Sequence, residues 1–150
     1  MYKCKTLHSI EITHSTSTAH IVTGHPGECK NLHGHNYNFR IVVTSFRLDE
    51  LGMVMDFSSL KKYVKNYLDE NFDHKTIIYE KDERAEALRN LGARIVSYNP
   101  TAENMAEKIW EDLNSLFRDE EYFVELVSVE ETTNNKALYG GIINYGQVSN

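Results

Sequence analysis

Only two cysteines and two prolines occur in 150 residues, and no apolar run approaches the length that would cross a bilayer. With Cys4 and Cys29 alone no disulfide framework can hold the chain together, so a hydrophobic core must, and 150 residues suffice to bury one. The prolines, Pro26 and Pro100, punctuate loops. Positive charge is also scarce, with 16 Lys and Arg against 22 Asp and Glu and a formal net charge of −6. No basic footprint exists to neutralise the phosphates of a duplex, which argues against nucleic acid as a partner. Local lysines or a metal ion could still hold a small anion. Internal repeats and low-complexity tracts are absent, and "MYKCKTLHSIEITHS" carries no apolar leader. These absences set the expectation of one domain over residues 1–150, neither membrane-embedded nor exported, in a reducing cytoplasm.

The patterning of what is present gives the elements. Lys3 to Ser15 alternates loosely and is rich in Thr and Ile, and Tyr37 to Ser45 is β-branched and aromatic, so both read as strands. From Ser58 to Asn71 the residues Leu60, Tyr63, Val64, Tyr67 and Leu68 recur with helical spacing and predict an amphipathic helix. The charged stretch "EKDERAEALRNLGARIV" reads as a short helix closed by Gly92, followed by an extended segment. Pro100 and Thr101 open a second long helix, Thr101 as N-cap, with Met105, Ala106, Ile109, Trp110, Leu113, Leu116 and Phe117 as its buried stripe. Two strands, "YFVELVSVEET" and "ALYGGIINYG", finish the chain. The sum is an α+β domain, an antiparallel four-stranded sheet with helices on one face, whose other face calls for cover by a subunit interface.

Chemistry concentrates in "GHPGECKNLHGHNYNFRIVV", residues 24–43. His33 and His35 flank a glycine at the entrance to the second strand, and in extended backbone positions i and i+2 share a face. If the first two strands pair as a hairpin, His20 at the end of the first comes to lie beside them. Three imidazoles with an open position is the pattern of a catalytic zinc site, and no second CxxC or HxxxH element completes a closed structural one. Taken singly, H-G-H is a weak signal, Cys29 reads as a small buried hydrophobe, and Asp73 with His74 reads as a solvated helix end. Glu131 alternates onto the face of Val127 and Val129, where a carboxylate needs a partner.

Six motifs occur in order: "TAH" (Ala19, His20), "CKNLHGH" (Cys29 to His35), "GMVMDF" (Gly52 to Phe57), "FDH" (Phe72 to His74), "PTAEN" (Pro100 to Asn104) and "EET" (Glu130 to Thr132). Together they resemble the 6-pyruvoyltetrahydropterin synthase and 6-carboxytetrahydropterin synthase family over essentially the whole domain. The resemblance implies a tunnelling fold whose subunits join through their sheets into a trimeric barrel, two trimers commonly stacking, so that the protein is a homo-oligomer, trimer or hexamer. It implies Zn2+ on His20, His33 and His35 and a pterin triphosphate, 7,8-dihydroneopterin triphosphate, as substrate. Cys29 then corresponds to the catalytic base, Asp73 and His74 to a proton-relay pair, Glu131 to the carboxylate that anchors the pterin, and Thr101 to a further pterin contact.

The spacing C-x3-H-G-H is similar to the 6-carboxytetrahydropterin synthases of queuosine and other deazapurine pathways, which implies release of acetaldehyde and triphosphate. A 6-pyruvoyltetrahydropterin synthase, keeping all side-chain carbons, is the near alternative, and a non-enzymatic pterin-binding metal protein the distant one. Folate-type side-chain cleavage is disfavoured because Lys30 follows Cys29 where that group has glutamate. Two departures stand out: Thr16 replaces the family's usual aromatic, and the additional "HPGE" leaves His25 unassigned, either an active-site loop residue or surface.

Overall fold

The computed structural model describes residues 7–117 and 121–140. Ten segments follow in chain order. They are β1 (His8–His20), a 3-10 turn (Glu28–Lys30), β2 (His33–Ser45), α1 (Phe57–Asn71), β3 (Lys75–Tyr79), α2 (Ala85–Arg89), β4 (Arg94–Val96), α3 (Ala102–Leu116), β5 (Tyr122–Thr132) and β6 (Asn135–Tyr139). The strands form one sheet in the order β4-β3-β1-β2-β5-β6. β1, β2, β5 and β6 pair antiparallel, as the sequence pattern predicts, and β3 and β4 extend the sheet by parallel pairing beside the end of β1. None of the helices of the described residues is long and apolar enough to cross a membrane.

β1 and β2 run five and four residues beyond their expected limits towards the histidines, because the paired backbone continues through the polar positions until His20 meets His33. The expected start of β1 before Leu7, the expected continuation of β6 beyond Gly140, and Cys4 lie outside the described residues. β3, unread in the sequence, carries Ile77 and Ile78 buried on opposite faces, which hides the alternation that marks a half-exposed strand. Ile77 enters the main core, while Ile78 packs with Ile21 and Ala85 of α2 on the other side of the sheet.

The main core lies between the sheet and the two long helices. Tyr37, Phe39, Ile41 and Val43 of β2 and Val124, Val127 and Val129 of β5 face Leu60, Val64 and Leu68 of α1 and Met105, Ala106, Ile109 and Leu113 of α3. Tyr63 and Leu116, expected in the buried stripes, are exposed, since each sits at the flank of a helix only part of whose circumference meets the sheet. Thr101 caps α3 by accepting from Asn104 N–H, and Asp56 caps α1 in the same way through Ser59 N–H. Thr16, where the family resemblance leads one to expect an aromatic, is buried and satisfied: its hydroxyl meets Thr18 Oγ1 at 2.7 Å, and Thr18 donates to Phe72 O at 2.9 Å.

The opposite face is polar over much of its length, with Ser9 bonded to Thr44, Ser15 to Asn38 and Ser17 to Asn36, and an Arg40–Glu11 ion pair. Hydrophobic burial of that face therefore supplies less reason to associate than the sequence suggested. The open strand edges supply more: β3 covers β1 only from Thr18 to His20, and no described strand lies outside β6.

Asp56→Ala is expected to destabilise the protein by about 1 kcal/mol through loss of the α1 cap, without changing metal content. Urea unfolding beside metal analysis checks this, and an unchanged midpoint would mean that the cap is not limiting.

Candidate active site

His20 ends β1 directly opposite His33, the first residue of β2, and His35 follows on the same face, so one ring nitrogen from each lies within 4.8 Å of those of the other two. Gly34 between them suits the close strand pairing: a Cβ there would meet Thr18 O at 3.1 Å, a tight contact. Two of the imidazoles are oriented by the backbone. Nδ1–H of His20 donates to Pro100 O at 2.7 Å, and Nδ1–H of His33 donates to Asn31 O at 2.7 Å. Both Nε2 atoms therefore present lone pairs, and they face each other at 3.1 Å. Two acceptors at that distance repel unless a cation lies between or beside them. His35 Nε2 is buried without a hydrogen-bond partner, the third donor atom of a cation site. The residues fit a metal: three imidazole nitrogen donors, two of the rings oriented by carbonyls at Nδ1. Burial lowers the pKa of His20 and His35 below the ordinary histidine value and favours that neutral form.

Glu131 and Tyr37 complete the centre. Tyr37 is fully buried, donates its hydroxyl to Glu131 Oε1 at 3.0 Å and lies 3.1 Å from His20 Nε2. Burial, and then the Glu131 charge, push its phenol far above the ordinary value, so it remains a neutral donor. Glu131 Oε1 stands 3.4 Å from His20 Nε2 and 3.5 Å from His35 Nε2. The sequence reading missed Tyr37, although the alternation 33, 35, 37 in "HGHNY" carries it onto the ligand face.

Two cavities lie near the centre, one lined by Glu131 and the other by His35. One, of about 320 Å3, is lined by Cys29, Thr101, Glu131 and His25 together with the start of β6, so the thiol, the carboxylate and the cap threonine border one space. His25 belongs to this cavity rather than to open surface, and its Nδ1 accepts from Gly27 N–H at 2.9 Å. The other, of about 510 Å3, holds His74 and Lys75 with Ser17, Asn36 and His35. Asp73 accepts from Ser17 N–H and from His74 Nδ1–H at 3.0 and 2.8 Å, and these bonds hold its carboxyl below the ordinary range. His74 adopts a left-handed φ of 54° and is 80% exposed. Among the described residues none lines both cavities, and His74 and Cys29 stand in different ones.

A mixed α+β sheet backed by two helices, in the arrangement seen here, is the tunnelling fold. It is shared with the solved 6-pyruvoyl tetrahydropterin synthase of Caenorhabditis elegans, with a TM-score of 0.68 and 26% identity over 94% of this chain and 99% of that one. The chain belongs to the 6-pyruvoyl tetrahydropterin synthase family, whose sequence profile matches residues 9–141. It is 37% identical over 120 residues to 6-carboxy-5,6,7,8-tetrahydropterin synthase of Rickettsia felis, covering 77% of this chain and 87% of the relative. It is 33% identical over 117 residues to 6-pyruvoyl tetrahydrobiopterin synthase of Homo sapiens, covering 77% and 72%.

His33→Ala is expected to abolish stoichiometric metal binding while the fold persists, since one of three donors is lost and the core does not depend on it. Metal retention in the parent should fall on acidification as protons compete for the imidazole nitrogens, and the lowered pKa values of His20 and His35 favour their metal-binding form to lower pH. Metal analysis after gel filtration at stepped pH, with circular dichroism, checks both, and retained metal in the variant would displace the assignment.

Proposed function

We propose that the chain is a zinc-dependent 6-carboxytetrahydropterin synthase, a cytoplasmic lyase that converts 7,8-dihydroneopterin triphosphate to 6-carboxy-5,6,7,8-tetrahydropterin with release of acetaldehyde and triphosphate. The queuosine and deazapurine pathways are the setting implied by the C-x3-H-G-H spacing. The observation that carries the reading is the convergence of Cys29, Thr101 and Glu131 on one cavity, with Glu131 beside three clustered histidines, two of them held by carbonyls at Nδ1. The similarity to the Rickettsia felis 6-carboxy enzyme favours this product. The pyruvoyl product is the second reading, favoured by the similarity to the human enzyme.

Zinc on His20, His33 and His35 would act as a Lewis acid on the substrate's side-chain oxygens and acidify the neighbouring carbon. The chain's own groups supply the rest. Glu131, fixed by the Tyr37 hydroxyl, presents a carboxylate to the amino and ring N–H groups of a pterin, an arrangement of charge-assisted hydrogen bonds. Thr101, whose hydroxyl already accepts from Asn104 N–H, borders the same space. Cys29 Sγ, as thiolate, takes the side-chain proton, and the Asp73–His74 pair moves protons onward, with Asp73 fixing the ring through Nδ1–H.

Because His74 and Cys29 occupy different cavities, the reading assigns the relay pair to a neighbouring copy. The strand edges make this concrete. The Cys29 cavity includes Asn135, Lys136 and Ala137 of β6, and Asp73 is bonded to Ser17 at the open edge of β1. Pairing β6 of one subunit with β1 of the next, repeated into a closed ring, would bring the two half-sites together and give a trimer or stacked hexamer.

Product identification by mass spectrometry after incubation with dihydroneopterin triphosphate tests the function. A carboxylated pterin with acetaldehyde is expected, and a three-carbon side chain would replace this reading with the pyruvoyl one. Cys29→Ala should lower kcat about a hundredfold to ten-thousandfold with zinc and pterin affinity retained, whereas Glu131→Gln should weaken pterin binding with zinc retained. Calorimetry with kinetics checks the pair, and full turnover in Cys29→Ala would remove it as base. Reassembling equal amounts of inactive Cys29→Ala and His74→Ala should restore roughly a quarter of parental activity if sites form between copies at random. No recovery would return the relay to a single chain.

A further inference from the structure

Cys29 sits in the connection between β1 and β2, residues 21–32, a twelve-residue stretch that no regular element supports apart from the single 3-10 turn. Such a loop would ordinarily be among the more mobile parts of a fold, yet here a base must be held to a fraction of an ångström. The connection is tied at both ends to the segment between β3 and α2. Asp82, 5% exposed, accepts from the Thr23 hydroxyl at 2.7 Å through Oδ2. The same carboxylate receives Arg84 in a fork, Nε on Oδ1 and Nη2 on Oδ2, each at 2.8 Å, and Arg84 N–H on Oδ1 at 2.9 Å. The remaining arm of the guanidinium, Nη1, donates to Lys30 O at 2.8 Å, one residue beyond Cys29.

We propose that Asp82 and Arg84 are positioning residues for Cys29, a strut between a buried carboxylate and a partly exposed guanidinium that fixes the start of the catalytic loop at Thr23 and its end at Lys30. This rests on the reading of Cys29 as the base. The loop's internal bonds complete the frame: Val22 N–H donates to Cys29 O at 2.9 Å, and Asn99 holds both the N–H and the C=O of Thr23 at 2.9 Å. Asn99 sits one residue before Pro100, whose carbonyl orients His20, and Asn31, one residue after Lys30, orients His33. The loop is therefore referenced to the same backbone positions as the metal ligands. The strut's chemistry is specific to arginine, since the planar fork can satisfy both carboxylate oxygens and still direct a third N–H elsewhere, which an ammonium cannot do in fixed geometry. It also gives a use to "EKDERAEALR", a charged stretch otherwise distant from any chemistry: Asp82 is bonded to Tyr79 O at the end of β3, and its own carbonyl accepts from Ala85 N–H at the start of α2, so the strut stands on framework.

The test compares Arg84→Lys, which keeps the charge beside Asp82 but loses the third arm, with Thr23→Val, which removes only the hydroxyl bond to Asp82. Both are assayed as metal-loaded protein. Kinetics with dihydroneopterin triphosphate should show kcat lowered about tenfold to a hundredfold with KM and zinc content unchanged in Arg84→Lys, and a smaller fall in the same direction in Thr23→Val. Iodoacetamide labelling of Cys29, followed by peptide mass spectrometry to separate it from Cys4, should change in rate severalfold in both variants. A pair that merely anchors α2 would lower the thermal midpoint and leave turnover and labelling at parental values, and that result overturns the proposal. Loss of zinc in step with kcat also overturns it, because the effect would then lie on the histidines. The labelling arm needs no turnover, so a parent that failed to convert the pterin would refute the proposed reaction while labelling still decided whether the strut holds Cys29.

Discussion

The register of β1 against β2 is the constraint on which core and site both depend. Thirteen pairs run unbroken from His8 opposite Ser45 to His20 opposite His33. On the covered face of β2 the same alternation sends His33, His35, Tyr37, Phe39, Ile41 and Val43 inward in succession. A slip of one residue would turn His20 away from the other two histidines and push the aliphatic set of one strand towards solvent. The hydrophobic demand that fixes Phe39 and Ile41 between sheet and helices therefore also fixes the imidazoles, which form the polar end of the same ladder rather than a separate insertion.

From that end outward the polar groups depend on one another in order. Carbonyls of Pro100 and Asn31 set the tautomers of His20 and His33, Tyr37 rises from the core to hold Glu131, and Glu131 forms the wall between the histidines and the cavity containing Cys29. Each partner is itself anchored in framework: Pro100 precedes the cap of α3, and Tyr37 is buried by β2 packing. A centre built this way has little freedom to rearrange when a ligand arrives, which suits chemistry that relies on prepositioned charge.

Much of this was legible in the sequence, for physical reasons that also explain the rest. The His20, His33 and His35 cluster could be read because a hairpin and an i, i+2 spacing leave only one geometry, and Thr101 could be read as a cap from the proline before it and the apolar stripe after it. The two long helices followed from their periodicity, although their flanking residues Tyr63 and Leu116 were over-assigned, since spacing marks a helix face but not its width. β3 escaped because both its faces are covered. Asp82 and Arg84 read in the sequence only as part of a charged short helix, and nothing local distinguishes an ion pair that folds over a distant loop from one that faces water. The placing of His74 and Cys29 in different cavities was likewise invisible, because motif order along a chain carries no information about distance in the fold.

The central claim is an open three-nitrogen centre with the thiol beside it rather than on it. X-ray absorption at the zinc edge of the metal-loaded, substrate-free protein tests this most directly. The account predicts a shell of light atoms only, at about 2.0–2.1 Å, with multiple scattering from three imidazoles. A sulfur contribution at about 2.3 Å would place Cys29 on the metal, close the site, and contradict its role as base.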